Sequence, residues 1–173
     1  MSAMIVVGVD GSAEAARALE YAAAEAARRG ARLRVVSVFA MPDYWMVPIG
    51  FAPPQVTVPS VKELRSGAQE AAQRAVDELS AARPDLTGQI EVEAVGVCGH
   101  PSDDLVALSR GADLLVLGHR GRGAVASAIL GSVGLRCVLH AGCPVTIVRP
   151  TTTPSVPADS TAQLSAVCVA RLA

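Results

Sequence analysis

Short apolar runs alternate with longer segments of helical periodicity over most of the chain. Five such runs stand at Met4–Val9, Leu33–Phe39, Gln89–Val97, Leu114–Leu117 and Val145–Val148. Their length and their hydrophobic pattern predict five buried β-strands. Between the runs, apolar residues recur at every third or fourth position, which predicts amphipathic helices.

Turn residues mark the beginning and the end of the first helix. Asp10-Gly11-Ser12 follows the first strand and predicts a turn in which Ser12 is the N-cap of the helix. Glycine readily adopts the left-handed backbone conformation that closes many helices. Gly30 therefore predicts the end of this helix.

Three further helices are predicted from the same kind of signal. Ser60 and Glu63 have the spacing of a capping box, in which each residue bonds to the backbone N–H of the other. They predict a helix that runs to about Arg83, where Pro84 stops it. The remaining two predicted helices run from Pro101 to near Gly111 and over Ser132–His140.

The order of these elements predicts the fold class. Five strands interleaved with four helices indicate an α/β protein with a single open five-stranded parallel sheet and helices on both faces, a Rossmann-like architecture. The segment Ala40–Pro59 contains five prolines and predicts a long irregular connection. The pattern ends near Arg149, so we expect one domain over residues 1–149 and a disordered tail over 150–173.

Composition and charge narrow the classes of function. With 51% hydrophobic residues among 173, the chain is not disordered as a whole, and its net charge of −1 gives no basis for binding nucleic acid or anionic membranes. No apolar run approaches the ~20 residues of a membrane span, and the first residues do not resemble a signal peptide. Four widely spaced cysteines suit a reducing compartment. These features predict a cytoplasmic protein.

Glycines after the fourth strand suggest an anion-binding site. Gly118 and Gly121 are separated by two residues, and Gly131-Ser132 follows after nine more. Glycines let backbone N–H groups approach phosphate oxygens closely, and a helix that begins at Ser132 presents unpaired N–H groups and the positive end of its dipole. This spacing therefore predicts a phosphate cradle.

Asp10 is the natural partner of this cradle, because ligands of open α/β sheets bind at the carboxyl ends of the strands. A carboxylate there can accept hydrogen bonds from ribose hydroxyls. The P-loop pattern GxxxxGK[ST] is absent, and the first strand is followed by DGSAEA rather than by GxGxxG. The sequence thus argues against a P-loop NTPase and against an ordinary dinucleotide-dependent dehydrogenase.

Three motifs, in order along the chain, resemble one known family. IVVGVDGS, DLLVLGHRGRG and LGSV…VLHAGCPVTIVR are similar to segments of the universal stress proteins that bind nucleotides, and the resemblance covers Met4–Arg149. It implies a five-stranded α/β fold, a homodimer that pairs the last strands over Pro144–Arg149, and bound ATP, with or without Mg²⁺. The nucleotide-binding residues that it implies are Asp10, Gly11, Ser12, Val38, Gly118, Arg120, Gly121, Gly131, Ser132 and Val133.

One position departs from the family pattern. Members often carry Ser or Thr where this chain has Gly134, so one hydroxyl donor to the terminal phosphate is missing. The resemblance implies an ATP-binding stress-response protein whose nucleotide occupancy biases a dimer or partner state. Open alternatives are a cAMP-binding member, a slow ATPase and a nucleotide-free dimeric interaction module. Apart from its arginines, the glycine loop contains one titratable residue that could act as a base, His119. We predict no catalytic residue.

Two other clusters favour structural interpretations. Cys137, His140 and Cys143 have a spacing that suggests a zinc site, with Cys98 or His100 as a further ligand. Cys143, however, falls beyond the end of the predicted helix, and we expect no metal. The proline-rich connection holds three of the five aromatic residues, which could lie over an adenine or form a dimer contact. We favour their covering a local hydrophobic edge; they are Tyr44, Trp45 and Phe51.

Overall fold

Five parallel strands form the centre of the structure, a computed structural model that describes residues 3–40, 60–121 and 130–150. The proline-rich connection, with its aromatic residues, and the tail lie outside the described residues. The strands lie in the order β3-β2-β1-β4-β5. Their bounds are β1 Met4–Val9, β2 Arg32–Ala40, β3 Val92–Gly99, β4 Leu114–Gly118 and β5 Val145–Val148.

Helices cover both faces of this sheet, as the sequence predicts. Their bounds are α1 Ala13–Arg29, α2 Val61–Ala82, α3 Pro84–Thr87, α4 Pro101–Ser109 and α5 Ser132–His140. On one face α1, α2 and α3 pack on a core that includes Ile5, Leu33 and Val35; on the other, α4 and α5 pack on Val36 and Leu115. No helix within the described ranges is long and apolar enough to cross a membrane.

The predicted caps form as expected. The Oγ of Ser12 accepts a hydrogen bond from the N–H of Ala15 at 3.2 Å, and Gly30 has the left-handed φ of 62° that ends α1. At the start of α2 the backbone N–H of Ser60 donates to Glu63 at 2.7 Å, and the N–H of Glu63 donates to the Ser60 hydroxyl at 3.2 Å. These local bonds satisfy N–H groups that a helix cannot pair internally.

The region after α2 differs from the prediction in two ways. Pro84 ends α2, but it also opens the short helix α3, because proline lacks an N–H that the first turn of a helix would leave unpaired. The third strand is Val92–Gly99 rather than Gln89–Val97. Gln89 belongs to the turn after α3, where its N–H donates to the carbonyl of Leu86 at 3.1 Å.

The order of the strands creates a cleft at the carboxyl end of β1. The chain leaves β1 towards β2 and β3, and it later crosses to the other side to form β4 and β5. Connections that leave neighbouring strands in opposite directions separate from each other, and ligands bind in the resulting crevice. The fold therefore places the ends of β1 and β4, with their glycine-containing turns, at this point.

A side chain of α2 covers the outer edge of β3, one of the two edge strands of the sheet. On the outer side of β3, the side-chain amide of Gln69 in α2 donates to the carbonyl of Ala94 at 2.9 Å and accepts from the N–H of Gly96 at 2.7 Å. A Cβ on Gly96 would collide with the backbone of Gln69, so glycine allows α2 to approach this closely. The amide thus occupies backbone groups that another strand would otherwise pair with.

We expect the substitution Gln69→Leu to lower the free energy of unfolding by about 1–2 kcal/mol, because it removes two hydrogen bonds to the backbone of β3. Gln73→Leu is the matched control, since Gln73 lies one turn further along α2 and bonds to Asp77 on the same helix. We expect this control to change stability by less than about 0.5 kcal/mol. Urea denaturation curves measure both effects, and equal losses in the two variants would contradict the prediction.

Candidate functional site

A cavity of about 550 Å³ lies at the carboxyl ends of β1, β2 and β4. Apolar side chains from the strands and from α4 form one part of its wall, and glycines and polar residues from the loops form the other. The apolar part consists of Val9, Ala15, Val36, Val38, Ala40, Pro101, Leu105, Leu117 and Val133. The other part consists of Gly8, Asp10, Gly118, Arg120, Gly121, Gly131, Ser132 and Gly134.

The residues that the sequence nominates for nucleotide binding meet in this cavity, with two exceptions. The nominated residues that line it are Asp10, Val38, Gly118, Arg120, Gly121, Gly131, Ser132 and Val133. Gly11 and Ser12 are not among the lining residues. Because these two follow Asp10 directly, the sequence alone could not separate a residue at the cavity from residues that support it.

Gly11 and Ser12 shape the turn that presents Asp10. Gly11 has a φ of 78°, a conformation that favours glycine. Oδ1 of Asp10 accepts two hydrogen bonds from Ser12, one from the backbone N–H at 3.0 Å and one from the hydroxyl at 2.6 Å. The aspartate therefore closes a small ring with the residue that caps α1.

Two glycines bring the loop after β4 close to the turn after β1. A Cβ on Gly118 would lie 2.9 Å from the backbone carbonyl carbon of Glu14, in the first turn of α1. A Cβ on Gly121 would lie 2.5 Å from Oδ2 of Asp10. Both distances are shorter than side-chain packing allows, so only glycine gives this spacing without movement of its neighbours.

The N-terminus of α5 opens into the cavity without a side-chain cap. Its N-cap is Gly131, which provides no side-chain cap, whereas Ser12 and Ser60 cap α1 and α2. Ser132 and Val133 of this first turn line the cavity. N–H groups that the helix itself leaves unpaired, and the positive end of its dipole, therefore face a space that a ligand can fill.

His119 lies behind the cavity wall. Its side chain is 7% exposed, it does not line the cavity, and its Nδ1 has no hydrogen-bond partner among the described residues. Its backbone N–H donates to the carbonyl of Val148 at 3.0 Å, and its own carbonyl accepts from the N–H of Gly131 at 3.0 Å. The residue thus joins β5 to the N-cap of α5, and its imidazole is not placed to take a proton from a ligand in the cavity.

Gly134 also lies in the wall of the cavity. A Cβ at this position would stand 3.0 Å from Cδ1 of Leu130 and 3.7 Å from Cδ1 of Ile147. A serine there would require a shift of the Leu130 side chain by a few tenths of an ångström. The departure from the family pattern is therefore located in the cavity wall, in the first turns of α5.

Of the apolar wall, the sequence nominated only Val38 and Val133. Gly8 illustrates why, since a Cβ there would lie 2.8 Å from Cδ2 of Leu117 and 3.1 Å from Cδ1 of Leu105. A glycine within a buried strand was the available signal, because it often marks a close approach by another group. The groups that approach it come from β4 and α4, which only the tertiary structure brings together.

The cysteines in the described ranges, Cys98, Cys137 and Cys143, show no arrangement for a metal. The described part of the chain contains no group of three or more side chains that could hold a metal ion. Cys137 is fully buried, and burial raises the pKa of its thiol to about 11. Burial also raises the pKa of Cys143. Both thiols therefore remain protonated at neutral pH.

Comparison with known proteins agrees with the motifs and the fold. The model of the universal stress protein family matches residues 1–149. A universal stress protein of Thermus aquaticus is 36% identical over 148 residues, which cover 84% of this chain and 97% of that protein. A universal stress protein of Mycobacterium tuberculosis is 34% identical over 88% of this chain, and the match spans only 51% of the mycobacterial protein.

Two solved structures contain adenine nucleotides. A universal stress protein in complex with cAMP is 27% identical, has a TM-score of 0.59, and the match covers 84% of this chain and 96% of that one. The universal stress protein of Archaeoglobus fulgidus in complex with dAMP is 28% identical, has a TM-score of 0.54 and has the same coverage, 84% and 96%. On the family match, the sequence relatives and the shared fold, this chain belongs to the universal stress protein family.

Proposed function

We propose that the chain binds an adenine nucleotide, ATP in the first place, in the cavity at the end of β1. The observation that carries the proposal is the uncapped N-terminus of α5, which faces a cavity that is apolar on its other side. The base would lie against Val38 and Leu105, and the phosphates would accept hydrogen bonds from the first turn of α5 and from its N-cap, Gly131. Arg120 lies in the same wall and would add a positive charge.

Two relatives support this choice of ligand class, because their structures contain cAMP and dAMP. Both ligands combine an adenine with a single phosphate. The cavity volume of about 550 Å³ is within the range of small-molecule sites and would accommodate such a ligand. Backbone N–H groups also explain how a chain with a net charge of −1 would bind an anion at one place.

ATP should stabilise the protein, because a ligand that binds only the folded state adds RT ln(1 + [L]/Kd) to its stability. We expect a gain of about 2.7 kcal/mol at one hundred times Kd, seen as a higher melting temperature. Ser132→Glu should abolish this shift. The new carboxylate favours the N-terminus of α5 but repels phosphate.

Ser132→Gln is the matched control, since it has almost the size of the glutamate without its charge. We expect this variant to keep most of the ATP-induced shift in melting temperature. The proposal fails if neither ATP nor cAMP changes the melting temperature of the unmodified protein and calorimetry detects no binding.

Binding of cAMP is the second candidate, and Gly134 is the observation that favours it. With no hydroxyl at this position in the cavity wall, one possible donor to a terminal phosphate is missing, and a ligand with one phosphate loses little from this. The complex of a relative with cAMP points in the same direction.

The variant Gly134→Ser distinguishes ATP from cAMP as the ligand of the cavity. If ATP is the ligand, the added hydroxyl should strengthen ATP binding by about 0.5–1.5 kcal/mol, and cAMP binding should change less. Gly134→Ala is the control, because it introduces the same Cβ beside Leu130 without a hydroxyl. Isothermal titration of both ligands measures the difference. Tighter cAMP binding by the unmodified protein, with no gain for ATP in Gly134→Ser, would favour the cyclic nucleotide.

A regulatory role fits the site better than catalysis. Phosphoryl transfer needs a positioned nucleophile and usually a metal beside the phosphates. His119, the base that the sequence offered, is buried away from the cavity. We therefore infer that hydrolysis of ATP, with or without Mg²⁺, is absent or very slow. We also infer that bound nucleotide changes how the protein interacts with a partner in the cytoplasm. The nucleotide-binding domain would end near Arg149.

We propose that the partner is a second copy of the chain, paired through β5. Leu115 donates to the carbonyl of Pro144 and His119 to that of Val148, so the N–H and C=O groups of Val145 and Ile147 point away from β4. In contrast with β3, no described side chain is bonded to them. The neighbouring helix α5 adds three exposed apolar residues, which are Leu135, Val138 and Leu139.

Val145→Pro should convert the dimer to a monomer. Proline removes an N–H that faces away from β4, so pairing within the sheet is retained while pairing with a second chain is lost. Val145→Ala is the control, because it also shortens the side chain but keeps the N–H. Sedimentation velocity at several protein concentrations measures the mass. A monomeric unmodified protein, or equal dimerisation of both variants, would contradict pairing through β5.

A further inference from the structure

The carboxyl group of Asp104 packs against Gly99 at the point where β3 ends and α4 begins. Its Oδ2 is buried and has no hydrogen-bond partner among the described residues. A Cβ on Gly99 would lie 3.1 Å from the carboxyl carbon and closer still to Oδ2, so glycine is the residue that leaves room for this group. Buried polar atoms are usually paired, and an unpaired carboxyl oxygen therefore calls for an explanation.

The residues around this carboxyl group belong to the wall of the cavity. Pro101 and Leu105, in the first two turns of α4, line the cavity, whereas Asp104 between them does not. Gly99 pairs in register with Ala40 of β2, which is another lining residue. The contact between Asp104 and Gly99 therefore joins the start of α4 to the sheet beside the cavity.

The charged groups near Asp104 are Asp103 on the same helix and His100 at its N-cap. From α5, Arg136 reaches Asp103, with which it forms an ion pair at 2.7 Å. From β3, the neighbour is Gly99, which carries no charge. Burial raises the pKa of Asp104 above its ordinary value, and the charge of Asp103 acts in the same direction, whereas His100 lowers this pKa through its charge and its backbone N–H.

A carboxyl group in this position is more stable as the neutral acid than as the ion. Removing a carboxylate from water without a partner costs far more free energy than removing the acid. When it is ionised, Oδ2 regains water only if the first turn of α4 moves away from Gly99, and Pro101 and Leu105 would move with it. A ligand that packs against these two residues opposes the movement and therefore favours the neutral acid.

We propose that Asp104 is a positioning residue of the cavity, which as a neutral acid holds the first turn of α4 against the end of β3. Binding of a nucleotide beside Pro101 and Leu105 is then accompanied by the uptake of a proton. The inference rests on the proposed function, since it requires a nucleotide in the cavity. It adds a dependence on pH, because the affinity falls as the pH rises through the range in which Asp104 loses its proton.

The test is a calorimetric titration of the full chain with ATP between about pH 4.5 and pH 7, a range that begins above the ordinary pKa of an aspartate. The variant Asp104→Asn has almost the size of the acid and is always neutral. From pH 4.5 to pH 7, we expect the affinity of the unmodified protein to fall about three- to tenfold more than that of Asp104→Asn. Comparing the two proteins cancels the ionisation of ATP itself. Asp104→Ala removes the contact with Gly99, so we expect it to bind ATP several-fold more weakly than Asp104→Asn at every pH.

Urea denaturation without ligand tests the carboxyl group independently of any nucleotide. Asp103→Asn is the matched control, because it removes a charge from the same turn of α4, and Asp103 is exposed and paired with Arg136. Negative charge favours the N-terminus of a helix, so this control should lower the urea midpoint at pH 7. An acid whose pKa is raised in the folded state costs stability as the pH rises through that pKa. Asp104→Asn should therefore raise the midpoint at pH 7, and the gain should shrink towards pH 4.

The outcomes separate this inference from the proposed function. If ATP affinity depends on pH equally in the unmodified protein and in Asp104→Asn, or if Asp104→Ala binds ATP as tightly as Asp104→Asn, the inference is wrong while nucleotide binding stands. Equal changes of the urea midpoint in Asp103→Asn and Asp104→Asn also contradict it. If the unmodified protein binds no nucleotide at any pH, both proposals are wrong. A pH dependence that disappears in Asp104→Asn, with weaker binding by Asp104→Ala, supports the positioning role.

Discussion

The parallel pairing of β1 with both β2 and β4 is the constraint on which the rest of the structure depends. It places β1 at the centre of the sheet, between β2 and β4. Connections leave this point in opposite directions, so the carboxyl ends of β1 and β4 border a crevice. The turn at Asp10, the loop from Gly118 and the first turn of α5 all meet there.

Close approach, rather than charge, builds the site. The missing side chain of Gly8 leaves space for Leu105 and Leu117 in the apolar wall. In the same way, Gly118 leaves space for the first turn of α1 and Gly121 for the carboxylate of Asp10. Each of these contacts would be blocked by a Cβ. The resulting surface presents backbone N–H groups, the carboxylate of Asp10 and the side chain of Arg120, so the net charge of the whole chain does not describe the charge at the cavity.

Local signals predicted most of the fold, and contacts distant in sequence account for what they missed. The caps at Ser12, Gly30 and Ser60 involve residues within a few positions of each other, so the sequence displays them directly. Gln69 closes the edge of β3 across more than twenty residues, and no periodicity indicates such a bond. Ser12 was nominated through the family resemblance, but its bonds run to its neighbours Asp10 and Ala15 and it does not line the cavity.

The same pattern of bonds links the cavity to the edge of the sheet. The peptide groups around His119 bond to Val148 in β5 on one side and to Gly131, the N-cap of α5, on the other. Two backbone hydrogen bonds of His119 thus connect the N-terminus of α5 to β5. A ligand shifts such an equilibrium only by the difference in its affinity for the two states. Regulation of pairing through β5 would therefore require that the ligand bind the paired and the unpaired states with different affinities, and His119 lies between the cavity and β5.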